Sequence, residues 1–175
     1  YMTAMSQEKV QALAAYVSKL TVLTPTEFKD TLRTVNLESI QNPRFELIGL
    51  QSIFGKHHSL RLYNPWQLAR IFEEVKPDIV CIEQEPYSLS TFQIMRLKKR
   101  FGFKVACLSS QNIFKTYPIP FSWTERYCVK NIDLFIGVSS SVLPIWVEKG
   151  IPKDRTIALP QVGVSLDQFK ADNYE

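Results

Sequence analysis

Residues 77–108 read PDIVCIEQEPYSLSTFQIMRLKKRFGFKVACL. The stretch opens on an apolar run, Ile79-Val80-Cys81-Ile82, crosses a polar turn, continues as a helical segment and closes on a second apolar run that ends at Leu108. The first run does not alternate with polar residues, which is the pattern of a strand covered on both faces. Ser88 stands where a helix cap belongs, and Gly102 stands where a helix stops. Strand, helix, strand over so few residues implies a right-handed crossover between parallel neighbours.

The same grammar extends in both directions. Short β-branched runs bounded by Pro, Gly, Ser or Asn predict strands over 20–23, 46–50, 78–82, 104–108, 134–138 and 156–159. Val10, Leu13, Ala14 and Val17 fall at i, i+3, i+4 and i+7 and predict a helix over 6–16. Leu68, Ile71, Phe72 and Val75 repeat the spacing, with Asn64 as cap, Pro65 at the first helical position and Pro77 just past the end. Further helices are predicted over 88–100, 120–131 and 140–149, the last stopped by Gly150. The fold expected is α/β: a Rossmann-like, doubly wound, mostly parallel sheet with helices on both faces. A doubly wound sheet normally begins with a strand that becomes central, whereas this chain begins with a helix. The first strand is therefore expected upstream of Tyr1.

Composition bounds the function. The 175 residues are 45% hydrophobic and 22% charged, with a formal net charge of +4, as in a globular domain with one core. No clustered basic stripe marks a nucleic-acid binder, and no apolar run approaches the length of a membrane span. A cytoplasmic location follows, with contact to the inner face of the membrane as the alternative. Cys81, Cys107 and Cys128 form no C-x-x-C pair, so they read as reduced thiols, with Cys81 and Cys107 buried in their apolar runs. Metal binding is not expected, because no ligand spacing occurs. Neither common glycine cradle for phosphate is present.

In open α/β sheets ligands bind beyond the carboxyl ends of the strands. Three such ends are polar here: Glu83-Gln84-Glu85-Pro86-Tyr87, Ser109-Ser110-Gln111-Asn112 and Ser139-Ser140-Ser141. Carboxylates, amides and hydroxyls at one sheet edge suit a ligand rich in hydroxyls, because each can grip a diol. Glu85, Gln111 and Asn112 are the stronger candidates; Glu83 reads more readily as an ion-pair or capping partner and Ser139 as cap and turn chemistry. His57 and His58 follow a strand and a glycine and could reach the cleft as a general base, although adjacent imidazoles in a polar loop usually face solvent. Lys98-Lys99-Arg100 with Lys104 reads as a solvated helix end, with weak peripheral contact to anionic lipid as its other reading. The aromatics of 113–123, IFKTYPIPFSW, form either an apolar wall over the cleft or a loop anchored in the core.

These residues also carry a family resemblance. The P-D-I-V strand followed by E-x-E-P-Y, the segment Q-N-I-F-K-x-Y-P at 111–118, the strand I-D-L-F-I-G-V-S-S-S at 132–141 and the closing P-Q-V-G-V-x-x-x-x-F at 160–169 resemble the N-terminal half of a bacterial family-four glycosyltransferase of the GT-B fold. Ser165 stands where the family's junction motif has Asp. The resemblance implies transfer of a sugar from a nucleotide-sugar donor to a glycan, lipid or small-molecule acceptor, without an essential metal or other cofactor. It places Glu85, Tyr87, Gln111 and Asn112 around the acceptor and leaves the catalytic residues unassigned. On this reading residues 1–162 are an acceptor-side Rossmann-like domain incomplete at its N-terminus, and 163–175 begin an interdomain linker. The partners implied are a sugar-containing acceptor and the protein's own C-terminal donor domain, which holds the donor and lies outside this sequence. Without that domain the chain is expected to be inactive. The rival readings are a stand-alone sugar- or protein-binding Rossmann-like module and an epimerase or dehydrogenase of another Rossmann-like class.

Overall fold

All six runs predicted as strands are strands, and they pair only in parallel. The computed structural model of the chain describes residues 8–29, 34–37, 44–54, 57 and 59–160. In chain order the strands are β1 (Thr21–Pro25), β2 (Glu27–Lys29), β3 (Thr34–Asn36), β4 (Glu46–Leu50), β5 (Ser52–Ile53), β6 (Leu62–Tyr63), β7 (Ile79–Ile82), β8 (Lys104–Ser109), β9 (Leu134–Gly137) and β10 (Thr156–Ala158). The helices are α1 (Glu8–Leu13), α2 (Pro65–Val75), α3 (Leu89–Phe101), α4 (Phe121–Asn131) and α5 (Leu143–Glu148). One parallel sheet runs β10-β9-β8-β7 and another pairs β1 with β4. Two antiparallel pairs, β2 with β3 and β5 with β6, decorate the connections. The fold is α/β and Rossmann-like.

Local chemistry explains where the helices begin and end. Asn64 Oδ1 accepts from the amides of Trp66 at 3.0 Å and Gln67 at 3.2 Å, and Pro65 occupies the first helical position, where no amide donor is needed. The Ser88 hydroxyl accepts from Thr91 N at 3.2 Å. Gly102 leaves α3 with φ 77°, a conformation that glycine adopts without strain. Two predicted helices are shorter than their periodicity suggests. The one expected over 6–16 is α1 followed by a 3-10 turn at Ala14–Tyr16, and its stripe is only half covered: Val10 is buried, while Leu13 and Val17 are exposed. The one expected over 140–149 starts later, because Val142 N is taken by Ser139 O in a turn.

Alternation along the strands divides the core. Leu23 and Ile48 pack against a cluster with Leu50, Ile82, Val105, Cys107 and Phe135, which is closed by Leu68, Phe72, Met95, Val129 and Trp146 from α2 to α5. On the opposite side of β1 and β4, Val22 joins Val10 of α1 and Phe45, with Ala14 and Leu47 alongside. Helices therefore lie on both faces, α1 on one and α2 to α5 on the other. Fully burying the larger of these side chains contributes roughly 1.5–3 kcal/mol each.

Strand β7 departs from expectation. Its unbroken apolar sequence predicts cover on both faces, yet Ile79 is 69% exposed and Cys81 is exposed as well. The buried thiol expected at position 81 is thus an exposed one, whereas Cys107 and Cys128 are buried. The reason is positional: β7 is the last strand of its sheet, and among the described residues nothing pairs with its outer edge.

Candidate functional site

Strands β7 and β8 end side by side, Ile82 opposite Cys107, so the polar turns that follow them meet. Glu85 lies in the first turn and reaches into the second. Its Oε2 accepts from Ser109 Oγ at 2.5 Å, and its Oε1 accepts from Ser110 N at 3.2 Å and Ser110 Oγ at 3.4 Å. Ser109 Oγ in turn accepts from Gln111 N at 3.1 Å. One carboxylate thereby fixes the course of the chain from Ser109 to Gln111. Hydrogen bonds to a charged acceptor are about twice as strong as neutral ones.

The far wall comes from the loop before α4. Tyr117 stacks on Tyr87, with centroids 4.2 Å apart and planes 28° from parallel, and its hydroxyl donates to Gln111 Oε1 at 2.7 Å. Gln111 Nε2 donates to Ile113 O at 3.0 Å. Thr124 Oγ1 donates to Tyr87 O at 2.7 Å and ties the stacked pair to α4. Burial first, then the neighbouring Tyr87, Glu125 and Glu85, pushes the Tyr117 phenol above its ordinary range. Tyr117 is therefore a neutral donor across the physiological range.

Together Glu85, Tyr87, Gln111, Asn112, Ile113, Lys115 and Tyr117 line a cavity of about 170 Å³ at the carboxyl edge of the sheet. Complete small-molecule sites occupy roughly 300–1,000 Å³, so this cavity is smaller than a complete site. It offers acceptors from Glu85 and Gln111, an exposed amide from Asn112 and an exposed ammonium from Lys115. That combination matches a hydroxyl-bearing ligand with anionic character.

The four leading candidates from the sequence thus lie around one cavity, and Glu83, Ser139 and His57 do not. Glu83 pairs with Lys9 of α1 at 2.5 Å and does not line the cavity. Ser139 lies beside Ser141, with their hydroxyl oxygens 2.8 Å apart. His57 is exposed in the turn after β5, where its carbonyl accepts from Leu60 N and Arg61 N. His58 falls outside the described residues. The run Lys98-Lys99-Arg100 is at the other end of α3, where Lys98, Lys99 and Lys104 line a cavity of about 250 Å³. Most of its charge is paired there: Lys98 donates to Asp133 Oδ2 at 2.5 Å and to Asn131 O at 2.6 Å, and Arg100 pairs with Glu73. Among the described residues, no helix is long and apolar enough to cross a membrane.

Sequence reasoning missed the residue that holds the loop down. Lys149, at the end of α5, is 5% exposed and donates to Glu125 Oε1 at 2.6 Å and to Lys115 O at 2.8 Å. Its ammonium lies 5.3 Å from the Phe114 and Tyr117 ring centroids and 5.1 Å from that of Trp146. Aromatic faces attract a desolvated cation. The aromatic segment is thus anchored at Tyr117 while Ile113, Phe114, Ile119 and Trp123 remain 61%, 47%, 63% and 62% exposed.

No protein-family model and no curated protein matches the chain. Among solved structures it is similar to a UDP-N-acetylglucosamine 2-epimerase (16% identity, TM-score 0.44, 53% of this chain and 26% of that one). It is also similar to UDP-GlcNAc 2-epimerase from Neisseria meningitidis bound to UDP-GlcNAc (18%, 0.44, 54% and 25%) and to S. aureus MnaA with UDP (13%, 0.47, 67% and 36%). The chain spans about a quarter to a third of the length of these proteins. Likenesses of this depth carry no assignment of activity.

Proposed function

We propose that this chain is the acceptor-side Rossmann-like domain of a nucleotide-sugar enzyme of the glycosyltransferase type. In this reading the cavity between the β7 and β8 turns holds the hydroxyl-rich acceptor. The observation that carries the reading is the convergence of Glu85, Tyr87, Gln111 and Asn112 on one cavity at the carboxyl edge of a parallel sheet, where open α/β folds bind ligands. The family resemblance, carried by motifs that include these four residues, supports the same reading. The small volume supports it too, since a cleft wall needs a second domain to close it.

Each residue then has a role. Glu85 accepts from a pair of sugar hydroxyls with the lone pairs that Ser109 and Ser110 leave open. Asn112 completes the polar contacts, and Lys115 faces an anionic group of the bound molecule. The Tyr87 and Tyr117 stack keeps Gln111 in place. No residue in the cavity is assigned to bond breaking; transfer is promoted by holding acceptor and donor in reacting geometry, with the donor on a second domain. The test is saccharide and UDP-sugar titration of the 175-residue chain followed by ¹H–¹⁵N NMR. Saccharide shifts centred on Glu85 to Asn112 support the reading. A response centred on other residues, or to the UDP moiety alone, opposes it.

A further inference from the structure

We infer that the acceptor bound at this site is an amphiphile, with its hydroxyl-bearing head in the cavity and an apolar chain of its own lying over Ile113 and Phe114. The inference rests on the acceptor reading proposed above and names the class of molecule. Of the exposed large apolar side chains among the described residues, Ile113 alone lines the cavity. Phe114 is exposed too and stands between two of the lining residues, Ile113 and Lys115. Apolar surface therefore begins where the polar pocket ends. Ile119 and Trp123, later in the same segment, are exposed as well.

This exposure is held in place by the loop's own bonds. The carbonyl of Ile113 accepts from Gln111 Nε2 at 3.0 Å and that of Lys115 from Lys149 Nζ at 2.8 Å, so the backbone is tied on both sides of Phe114. The Phe114 ring itself lies 5.3 Å from the Lys149 ammonium. Tyr117 is fixed by its stack on Tyr87 and its bond to Gln111. Ser122 N and Trp123 N donate to Pro118 O and Pro120 O and set the turn into α4. A backbone anchored in this way presents Ile113 and Phe114 to whatever enters the cavity.

The energetics favour a chain that belongs to the ligand. A hydroxyl-rich head exchanges hydrogen bonds with water for hydrogen bonds with Glu85 and Asn112, so its net gain is small. Apolar burial adds affinity without demanding geometry, and small-molecule sites pair such surface with a few polar groups that fix orientation. A cavity of about 170 Å³ takes the head, so the chain lies outside it, along the exposed residues. Interfaces between domains of one polypeptide are comparatively polar, which suits Ile113 and Phe114 less well than an alkyl chain does.

The test titrates the 175-residue chain with matched methyl and octyl glycosides of glucose, galactose and mannose, below their micelle concentrations, followed by ¹H–¹⁵N NMR. The inference expects at least one octyl glycoside to bind more than about tenfold tighter than its methyl partner, a gain that burial of about two methylenes supplies, with shifts at residues 85–87 and 110–117 in both. Ile113→Ser should bring that ratio below about threefold and leave the methyl affinity within about twofold. Ile79→Ser, which removes an exposed side chain at the opposite end of the sheet, should leave the ratio unchanged. Shifts at these residues with a ratio below tenfold in every pair keep the proposed site and overturn the amphiphile. Tighter octyl binding that Ile113→Ser does not reduce, or that Ile79→Ser reduces as much, also overturns it. Octyl binding that weakens as protein concentration rises overturns it in favour of a second copy over Ile113 and Phe114. The lack of any response at these residues to all six glycosides overturns the proposed site and the amphiphile together.

Discussion

Tyr117 lies flat on Tyr87 with 4.2 Å between ring centroids and donates its hydroxyl to Gln111 at 2.7 Å, so one side chain joins both polar turns of the cavity. Tyr117→Phe removes the donor and leaves the stack. We expect it to cost about 0.5–1.5 kcal/mol in urea unfolding, the net worth of a typical hydrogen bond. Tyr117→Ala removes the stack as well and costs more. Because burial raises the phenol, titration at 295 nm to about pH 11, past the ordinary tyrosine range, should register fewer than the seven tyrosines of the chain. Tyr117→Phe should leave that reading unchanged.

Lys149 and Glu125 are side chains of 5% and 14% exposure, and a buried pair is costly to break on one side. Lys149→Met leaves the Glu125 carboxylate buried without its cation and is expected to cost about 3–5 kcal/mol. Adding Glu125→Gln should recover more than half of that loss. Hydrogen exchange across residues 112–117 should still be faster in the double variant, because the anchor to Lys115 O is gone. Chemical denaturation and exchange on the same three proteins check both statements.

Asp133 joins three elements. Its Oδ2 accepts from Lys98 at 2.5 Å and from Val105 N at 2.8 Å, and Lys104 lies 3.5 Å from Oδ1. Burial raises its carboxyl, but Lys98, the Val105 amide and Lys104 outweigh burial and leave the pKa below the ordinary 3.8. A carboxyl whose folded pKa is depressed stabilises the fold above its unfolded pKa, and that stability is lost as pH falls through the folded value. The unfolding free energy should therefore drop as pH falls from about 5 through the aspartate range, and Asp133→Asn should flatten that drop.

Much of this was legible because it is local. Asn64, Pro65 and Pro77 bracket α2 within a few residues of one another, and Ser88 and Gly102 do the same for α3. Glu85 and Gln111 could be picked out because position after a parallel strand is itself a functional signal. What was not legible depends on distance or on cover. Lys149 at the end of a helix reads as a cation favoured by the dipole, and nothing nearby in sequence announces Glu125 or the Tyr117 ring. The pairs β2 with β3 and β5 with β6 are two or three residues per strand, too short to show a period. For β7, the apolar run announces cover on both faces, and only the sheet order shows that it ends its sheet with Ile79 and Cys81 exposed.

Glu85 is the centre of the proposed site, since Ser109 and Ser110 both donate to it. Glu85→Gln keeps the shape but weakens those bonds. We expect a loss of about 1–3 kcal/mol in stability, the penalty for disturbing a partly buried acceptor, with far-ultraviolet circular dichroism unchanged.

The most direct measurement is therefore a ¹H–¹⁵N NMR titration of the 175-residue chain and its Glu85→Gln variant with a panel of mono- and disaccharides. The account predicts shifts confined to residues 85–87 and 110–117 in the parent chain, weakened at least tenfold in apparent affinity by Glu85→Gln. Saccharide binding that leaves these amides unmoved, or that Glu85→Gln does not weaken, would contradict it.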